Sequence, residues 1–238
     1  MNQSQVNADL SQPAHGQWRP SVLLFDVNET LSDMAPLAGR FSDVGAVPQL
    51  AKTWFAGLLR DGFALTVNGV NPDFATLAHE QLRQALAGTT REMELDAAIE
   101  HIIGGFAELQ CHPDVVDGVR ALSEMGLRLV TLTNGATSVA QRLLGDAGIA
   151  DRFDRMLSVQ QAQAWKPDAR AYRYALEECG VEPAEAMLVA AHPWDTDGAR
   201  RAGLTAAWIN RESRTYPSYF LAPDIQARSL ADLASMLR

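Results

Sequence analysis

From His112 onward the chain alternates short apolar runs with amphipathic stretches. Leu127 to Thr133, Met156 to Val159, Met187 to Ala191 and Thr205 to Ile209 are apolar and of strand length. Between them, Val139 to Ala147, Ala169 to Cys179 and Gly198 to Ala202 carry helical spacing. Alternation of this kind predicts repeated βα units and a parallel, doubly wound α/β sheet. Gly148 and Gly180 follow two of the helices, where left-handed stops are expected. One more apolar run, Val22-Leu23-Leu24-Phe25, stands far upstream and predicts a first strand.

The stretch between that strand and His112 has a different period. Val47 to Arg60 carries Leu50, Trp54, Leu58 and Leu59, and Pro72 to Ala87 carries Phe74, Leu77, Ala78, Leu82, Ala85 and Leu86. Those spacings give one apolar stripe per helix. Pro72 suits a first helical turn, where its missing N–H costs nothing. Glu94 to Leu109 predicts a third helix across Gly104-Gly105. Residues 35–112 therefore form a helical insertion with no convincing strand. It separates the two parts of an α/β core, 21–34 and 113–238, and residues 1–20 form a disordered, polar tail.

Bulk properties narrow the function classes. A chain of 238 residues with 47% hydrophobic and 21% charged residues can bury a substantial core. A formal charge of −9 argues against nucleic acid, whose binding needs clustered cations. Any anionic substrate must be drawn in by local groups rather than by the overall field. No run approaches the ~18 apolar residues of a membrane span. The first stretch lacks the cationic start and apolar centre of a signal peptide, so a cytoplasmic location is expected. Cys111 and Cys179 are too few for a disulfide framework and read as reduced packing residues.

Chemistry concentrates at the strand ends. Asp26 follows the first strand and opens Asp26-Val27-Asn28-Glu29-Thr30-Leu31; Thr133-Asn134-Gly135, Lys166-Pro167 and Asp195 come after later apolar runs. In an open parallel sheet those ends form one edge, where α/β proteins bind ligands. Each residue also has a plainer reading. Asp26 and Asp195 suit helix caps, Asn134-Gly135 is a common turn pair, and a lone Lys166 is usually solvated. His15, His79, His101 and His112 belong to no constellation, and no metal site is expected from them.

Taken together, these motifs resemble the haloacid dehalogenase superfamily, and within it the L-2-haloacid dehalogenases of type II. The resemblance spans roughly residues 20 to 235. It implies a Rossmann-like core with a helical cap after the first strand, a small anionic organic acid as substrate, no cofactor, no membrane partner, and a homodimer. It also implies roles. Asp26 attacks the carbon bearing the halogen, and water then hydrolyses the Asp26 ester to a 2-hydroxy acid. Lys166 anchors Asp26 and keeps it anionic, and Thr30 orients it. Thr133 hydrogen-bonds the substrate carboxylate, Asn134 faces the departing halide, and Tyr172 lines the pocket with Val27, Asn28, Trp54 and Phe55. Asp195 binds or activates the hydrolytic water.

Several positions depart from the family. Asn28 stands where phosphatases of the superfamily carry a second aspartate, and an amide cannot act as their acid. Trp54 aligned with the family's tryptophan puts Phe55 where an arginine helps hold the halide. A phenylalanine offers an anion only its ring edge, so Asn134, Trp54 or Arg60 must supply the donor. Ala190 and His192 replace a serine and an asparagine, and His192 supplies a base near neutral pH. Glu29 replaces a glycine and adds an anion. The expected activity is metal-independent dehalogenation of short, haloacetate-like 2-haloalkanoic acids. The alternatives are a phosphatase, a hydrolase of strained rings, or a catalytically silent binding protein.

Overall fold

The computed structural model describes residues 19–89 and 93–238; the predicted tail lies almost wholly outside them. Strand β1 (Val22–Phe25) leads to a two-residue strand β2 (Ser32–Asp33). Helices α1 (Leu37–Asp43), α2 (Leu50–Val67), α3 (Phe74–Ala85) and α4 (Leu95–Gly104) follow, then β3 (Gln110–Cys111). Next come α5 (Val115–Glu124), β4 (Arg128–Thr133), α6 (Thr137–Asp146), β5 (Phe153–Ser158), α7 (Val159–Ala162) and α8 (Ala169–Cys179). The chain ends with β6 (Ala186–Ala190), α9 (Pro193–Arg201), β7 (Thr205–Ile209), β8 (Ile225–Ala227) and α10 (Leu230–Met236).

Six strands make one parallel sheet in the order β5-β4-β1-β6-β7-β8. The winding reverses at β1, which has β4 on one side and β6 on the other. Asp26, one residue past β1, therefore stands at the switch point where the two halves of the sheet diverge, the usual ligand crevice of such sheets. The strand alternates its side chains between two cores, as a period of two requires. Leu23 and Phe25 pack with α5, α6 and α10, while Val22 and Leu24 join the apolar cluster that continues into α1–α4.

The insertion was expected to hold no strand, and it holds one. β3 pairs antiparallel with β2, Ser32 opposite Cys111 and Asp33 opposite Gln110. This ribbon ties the chain's exit from the core to its return. Two residues per strand are too few to show a period, so the sequence conceals them. Pro72 is also placed differently. Asp73 caps α3, its Oδ1 accepting from the Thr76 N–H at 2.8 Å, and the proline precedes the cap. β5 begins three residues before the apolar run because Asp154 and Arg155 face solvent on a sheet edge. Gly148 and Gly180 do adopt positive φ, +66° and +65°, after α6 and α8.

Trp165 locks the insertion to the core. Its backbone N–H donates to Thr66 Oγ1 at 3.2 Å, its indole N–H to the Pro72 carbonyl at 2.9 Å, and its ring stacks on Phe74. A methyl group on Gly62 of α2 would lie 2.5 Å from the indole, so only glycine admits this contact. No helix among the described residues is long and apolar enough to cross a membrane.

Candidate active site

Four segments converge on Asp26. Lys166, in the loop between α7 and α8, donates its ammonium to Asp26 Oδ1 at 2.9 Å and to Asp195 Oδ2 at 2.6 Å. Thr30 donates its hydroxyl to Asp26 Oδ2 at 2.6 Å and accepts the Ala191 N–H at 2.9 Å, which fixes its rotamer. Tyr172 of α8 donates to Asp195 Oδ1 at 2.6 Å. All four carboxylate oxygens thus have donors, as buried ions require. The Asp26, Lys166 and Asp195 side chains are 6%, 0% and 0% exposed.

Charge in this dry site is unevenly shared. Burial alone would raise the Asp26 carboxyl, but the Lys166 ammonium, His192 and the Thr30 bond outweigh it and hold Asp26 below the usual range. Burial prevails at Asp195, with Asp26 adding to it, and pushes its carboxyl up despite Lys166. For Lys166 burial favours the neutral amine, yet Asp195 and Asp26 together raise it above the ordinary lysine range. The outcome is one anion ready to attack, one cation shared, and a second carboxyl that gives up its proton less easily.

Lys166 is aimed by its neighbours. Asn134 brackets its main chain, accepting the Lys166 N–H at 2.9 Å on Oδ1 and donating from Nδ2 to its carbonyl at 3.3 Å. One amide hydrogen of Asn134 is left for another partner. Thr133 Oγ1 accepts the Gly135 N–H at 3.0 Å, so its own hydrogen remains to donate. α9 crosses close to the Lys166-Pro167 loop because Gly198 is there; a Cβ would lie 2.6 Å from both Tyr172 Oη and Pro167 Cβ.

Several expected site residues stand elsewhere. Tyr172 is not among the residues of the cleft beside the site; it is wholly buried behind Asp195, where its ring packs in the core. Val27 faces the second core cluster with Leu23 and Phe25, because alternation turns it away from Asp26. Trp54 is buried among Phe41 and Phe106, and its indole N–H is spent on the Ala78 carbonyl at 3.2 Å. Arg60 is exposed and paired with Asp61. Neither is placed to hold a halide. Asp195 is not a helix cap: His192 caps α9 with Pro193 in its first turn, and Asp195 lies within that turn. Both of its oxygens are taken, and its side chain has no solvent contact.

His192, which replaces an asparagine of the resemblance, is tightly placed. Its Nε2 lies 3.2 Å from the Asn28 carbonyl, 3.6 Å from Glu29 Oε2 and 3.8 Å from Asp26 Oδ2, and its ring stacks on Trp194. Glu29 has φ of +61°, the left-handed region, where a side chain costs roughly 1–2 kcal/mol. A glycine there would avoid that cost. A cleft of about 780 Å³ opens beside the pair, lined by Glu29, Met34 and His192 and, from the insertion, by Gln49, Lys52, Phe55, Ala56 and Leu59. Phe55 thus faces the cleft.

Among the described residues no three His, Cys, Asp or Glu side chains are grouped to hold a metal. The Lys166 ammonium fills the space between Asp26 and Asp195, and Asp197 turns away to Arg201 at 2.8 Å and to the Leu221 N–H.

Comparisons with known proteins bear on the family and the fold. A family model described as haloacid dehalogenase-like hydrolase matches residues 20–203. The (S)-2-haloacid dehalogenase of Pseudomonas sp. (strain YL) is 30% identical over 222 residues, 87% of this chain and 90% of that one. The haloacetate dehalogenase H-2 of Moraxella sp. (strain B) is 30% identical over 148 residues, 61% and 66% of the two chains. A crystal structure of an L-2-haloacid dehalogenase superposes with a TM-score of 0.84 at 26% identity, covering 92% of this chain and 99% of the other.

Proposed function

From the premise that this chain belongs to the haloacid dehalogenase-like hydrolases, we propose that it hydrolyses short, haloacetate-like 2-haloalkanoic acids through an Asp26 ester. The observation that carries this is the Asp26 carboxylate itself, anchored on one oxygen by Lys166 and on the other by Thr30, and held below its ordinary range in a dry site. An oxygen nucleophile at carbon must be anionic and oriented, and both conditions are met.

The substrate enters beneath the helical insertion, residues 35–112, which serves as a cap. Thr133 donates its free hydroxyl to the substrate carboxylate, and the spare N–H of Asn134 meets the leaving halide. Asp26 displaces the halide and becomes an ester; water attacks the ester carbonyl and restores the carboxylate. Lys166 offsets charge in both steps. Asp195, gripped by Tyr172, holds that lysine in line. No step calls for a metal. The enzyme works as a cytoplasmic homodimer, which sedimentation and fractionation check directly.

The decisive experiment is halide release from fluoro-, chloro- and bromoacetate and 2-chloropropionate, with and without chelator. It is paired with one turnover in heavy-oxygen water under enzyme excess. Label in Asp26 together with chelator-resistant halide release is expected. Label only in the product would replace the ester by direct attack of water, and a strict Mg²⁺ requirement would favour phosphoryl transfer.

A further inference from the structure

One polar side chain, two residues after Asp26, has no part in the steps above. Asn28 is only 9% exposed, and among the described residues its carboxamide has no hydrogen-bond partner. Hiding an amide from most of its water is unfavourable unless a partner is regained. The protein supplies none, so a bound molecule is left to do so.

The place where that molecule would sit is marked by Gly135. The point at which a Cβ would stand on this glycine is 3.4 Å from Thr133 Oγ1, 3.9 Å from Asn28 Nδ2 and 4.0 Å from Phe74 Cγ. β1 and β4 are parallel neighbours with Phe25 opposite Thr131, so Asn28 and Thr133 come off the same sheet edge side by side. Phe74 reaches over them from α3 and is held against Trp165 and Phe106. The glycine itself is a fixed floor. Its N–H donates to Thr133 Oγ1 at 3.0 Å, and its carbonyl accepts the Ser158 hydroxyl at 2.7 Å. A hydroxyl and an amide from two different segments thus share one small space, which a missing side chain keeps open.

We propose that Asn28 and Thr133 grip the substrate carboxylate together over Gly135, one donor to each oxygen, and that Asn28 thereby selects acids over neutral halides. This rests on the dehalogenase reading above. The Thr133 oxygen already accepts from Gly135, so its own hydrogen is free to give. An amide without another partner turns an N–H to an anion. Hydrogen bonds to a charged oxygen are about twice as strong as those to a neutral one, so two such donors discriminate a carboxylate from an amide or an alcohol. Sharing its space with Thr133 puts Asn28 on the carboxylate rather than on the halide, which Asn134 faces.

Calorimetric binding of glycolate, the 2-hydroxy acid that haloacetates yield, reads this grip without any chemistry, with neutral glycolamide as the control. The wild type should prefer glycolate to glycolamide by about tenfold or more. Asn28→Ala should weaken glycolate by about tenfold to a hundredfold, the range for a hydrogen bond to a charged group, and raise KM for chloroacetate more than it lowers kcat. Asn28→Asp should weaken it further, because two carboxylates then face each other. Gly135→Ala is the second probe. Its methyl meets nothing closer than 3.4 Å, so the melting temperature should stay at the wild-type value, yet it fills the place of the carboxylate and glycolate binding should fall by about tenfold or more. Unchanged glycolate affinity in either Asn28→Ala or Gly135→Ala overturns the grip, and so does a loss confined to inhibition by bromide, which would put the amide on the halide. A wild type that binds glycolate in this way yet frees no halide from any haloacid leaves the grip standing and overturns the dehalogenase reading.

Discussion

On the sheet side of the site, all four oxygens of Asp26 and Asp195 have a donor within 2.9 Å. On the insertion side the cleft presents Phe55, Ala56 and Leu59, whose side chains donate nothing, with Gln49 and Lys52 farther along the same wall. The first wall is a closed network, in which removing any member strands a buried charge. Around Phe55 the second is apolar packing that tolerates exchange at modest cost. In the proposed reaction the nucleophile's machinery is thus fixed by one wall, and the treatment of the leaving group is left to the other. A relative that carries arginine at the place of Phe55 would differ mainly in the second.

The largest effect is expected on the closed wall. Lys166→Met leaves two carboxyls buried without their shared cation. It should cost about 3–5 kcal/mol in urea unfolding and about 10²–10³-fold in single-turnover halide release. A loss below tenfold would mean the two walls matter equally.

Phe55→Arg probes the opposite wall. A hydrogen bond to an anion is worth roughly 1.5–3 kcal/mol, so turnover of 2-chloropropionate should rise by about one to two powers of ten. No gain would show that the donor role is already filled from the sheet side, and that the contrast is weaker than drawn. Tyr172→Phe removes one donor from Asp195 and should slow turnover by about tenfold, with little change in KM. A change confined to KM would put Tyr172 in contact with substrate instead.

The smallest expected effect is a pH limb that fails to appear. Asp26 is held below its ordinary 3.8 by Lys166, His192 and Thr30 against the opposing effect of burial. A lowered carboxyl stays anionic as pH falls through the ordinary range and is lost only beneath it. Single-turnover halide release should therefore survive at about pH 4, near the unperturbed aspartate value. A decline centred well above that would mean Lys166 does not govern Asp26.

What the sequence disclosed follows the same division. The parallel sheet, the helical insertion and the strand-end groups were legible because long apolar runs have a period and strand ends share an edge. Asp26 and Lys166 share the edge that their places after apolar runs suggested, and only the resemblance implied that Thr30 joins them. The directions of Tyr172, Trp54 and Val27 were not legible, since a residue's partner across the fold leaves no mark on its own neighbourhood. α9 starts at Pro193, five residues before the expected Gly198, because its first turns hold buried polar residues rather than an apolar stripe. β2 and β3 were hidden by their brevity. The contact of Glu29 with His192 joins residues 163 positions apart, and only the exchange of a glycine hinted at it.

The fit of Trp165 against Gly62 bears on how such proteins can be recombined. The indole sits in the segment that carries Lys166, and its socket is made by α2, Pro72 and Phe74. An insertion transplanted from another family member with any side chain at position 62 would collide with the ring beside Lys166. Chimeras across this boundary should therefore succeed only when the tryptophan and the glycine travel together, which makes the two parts of the chain a matched set rather than exchangeable modules.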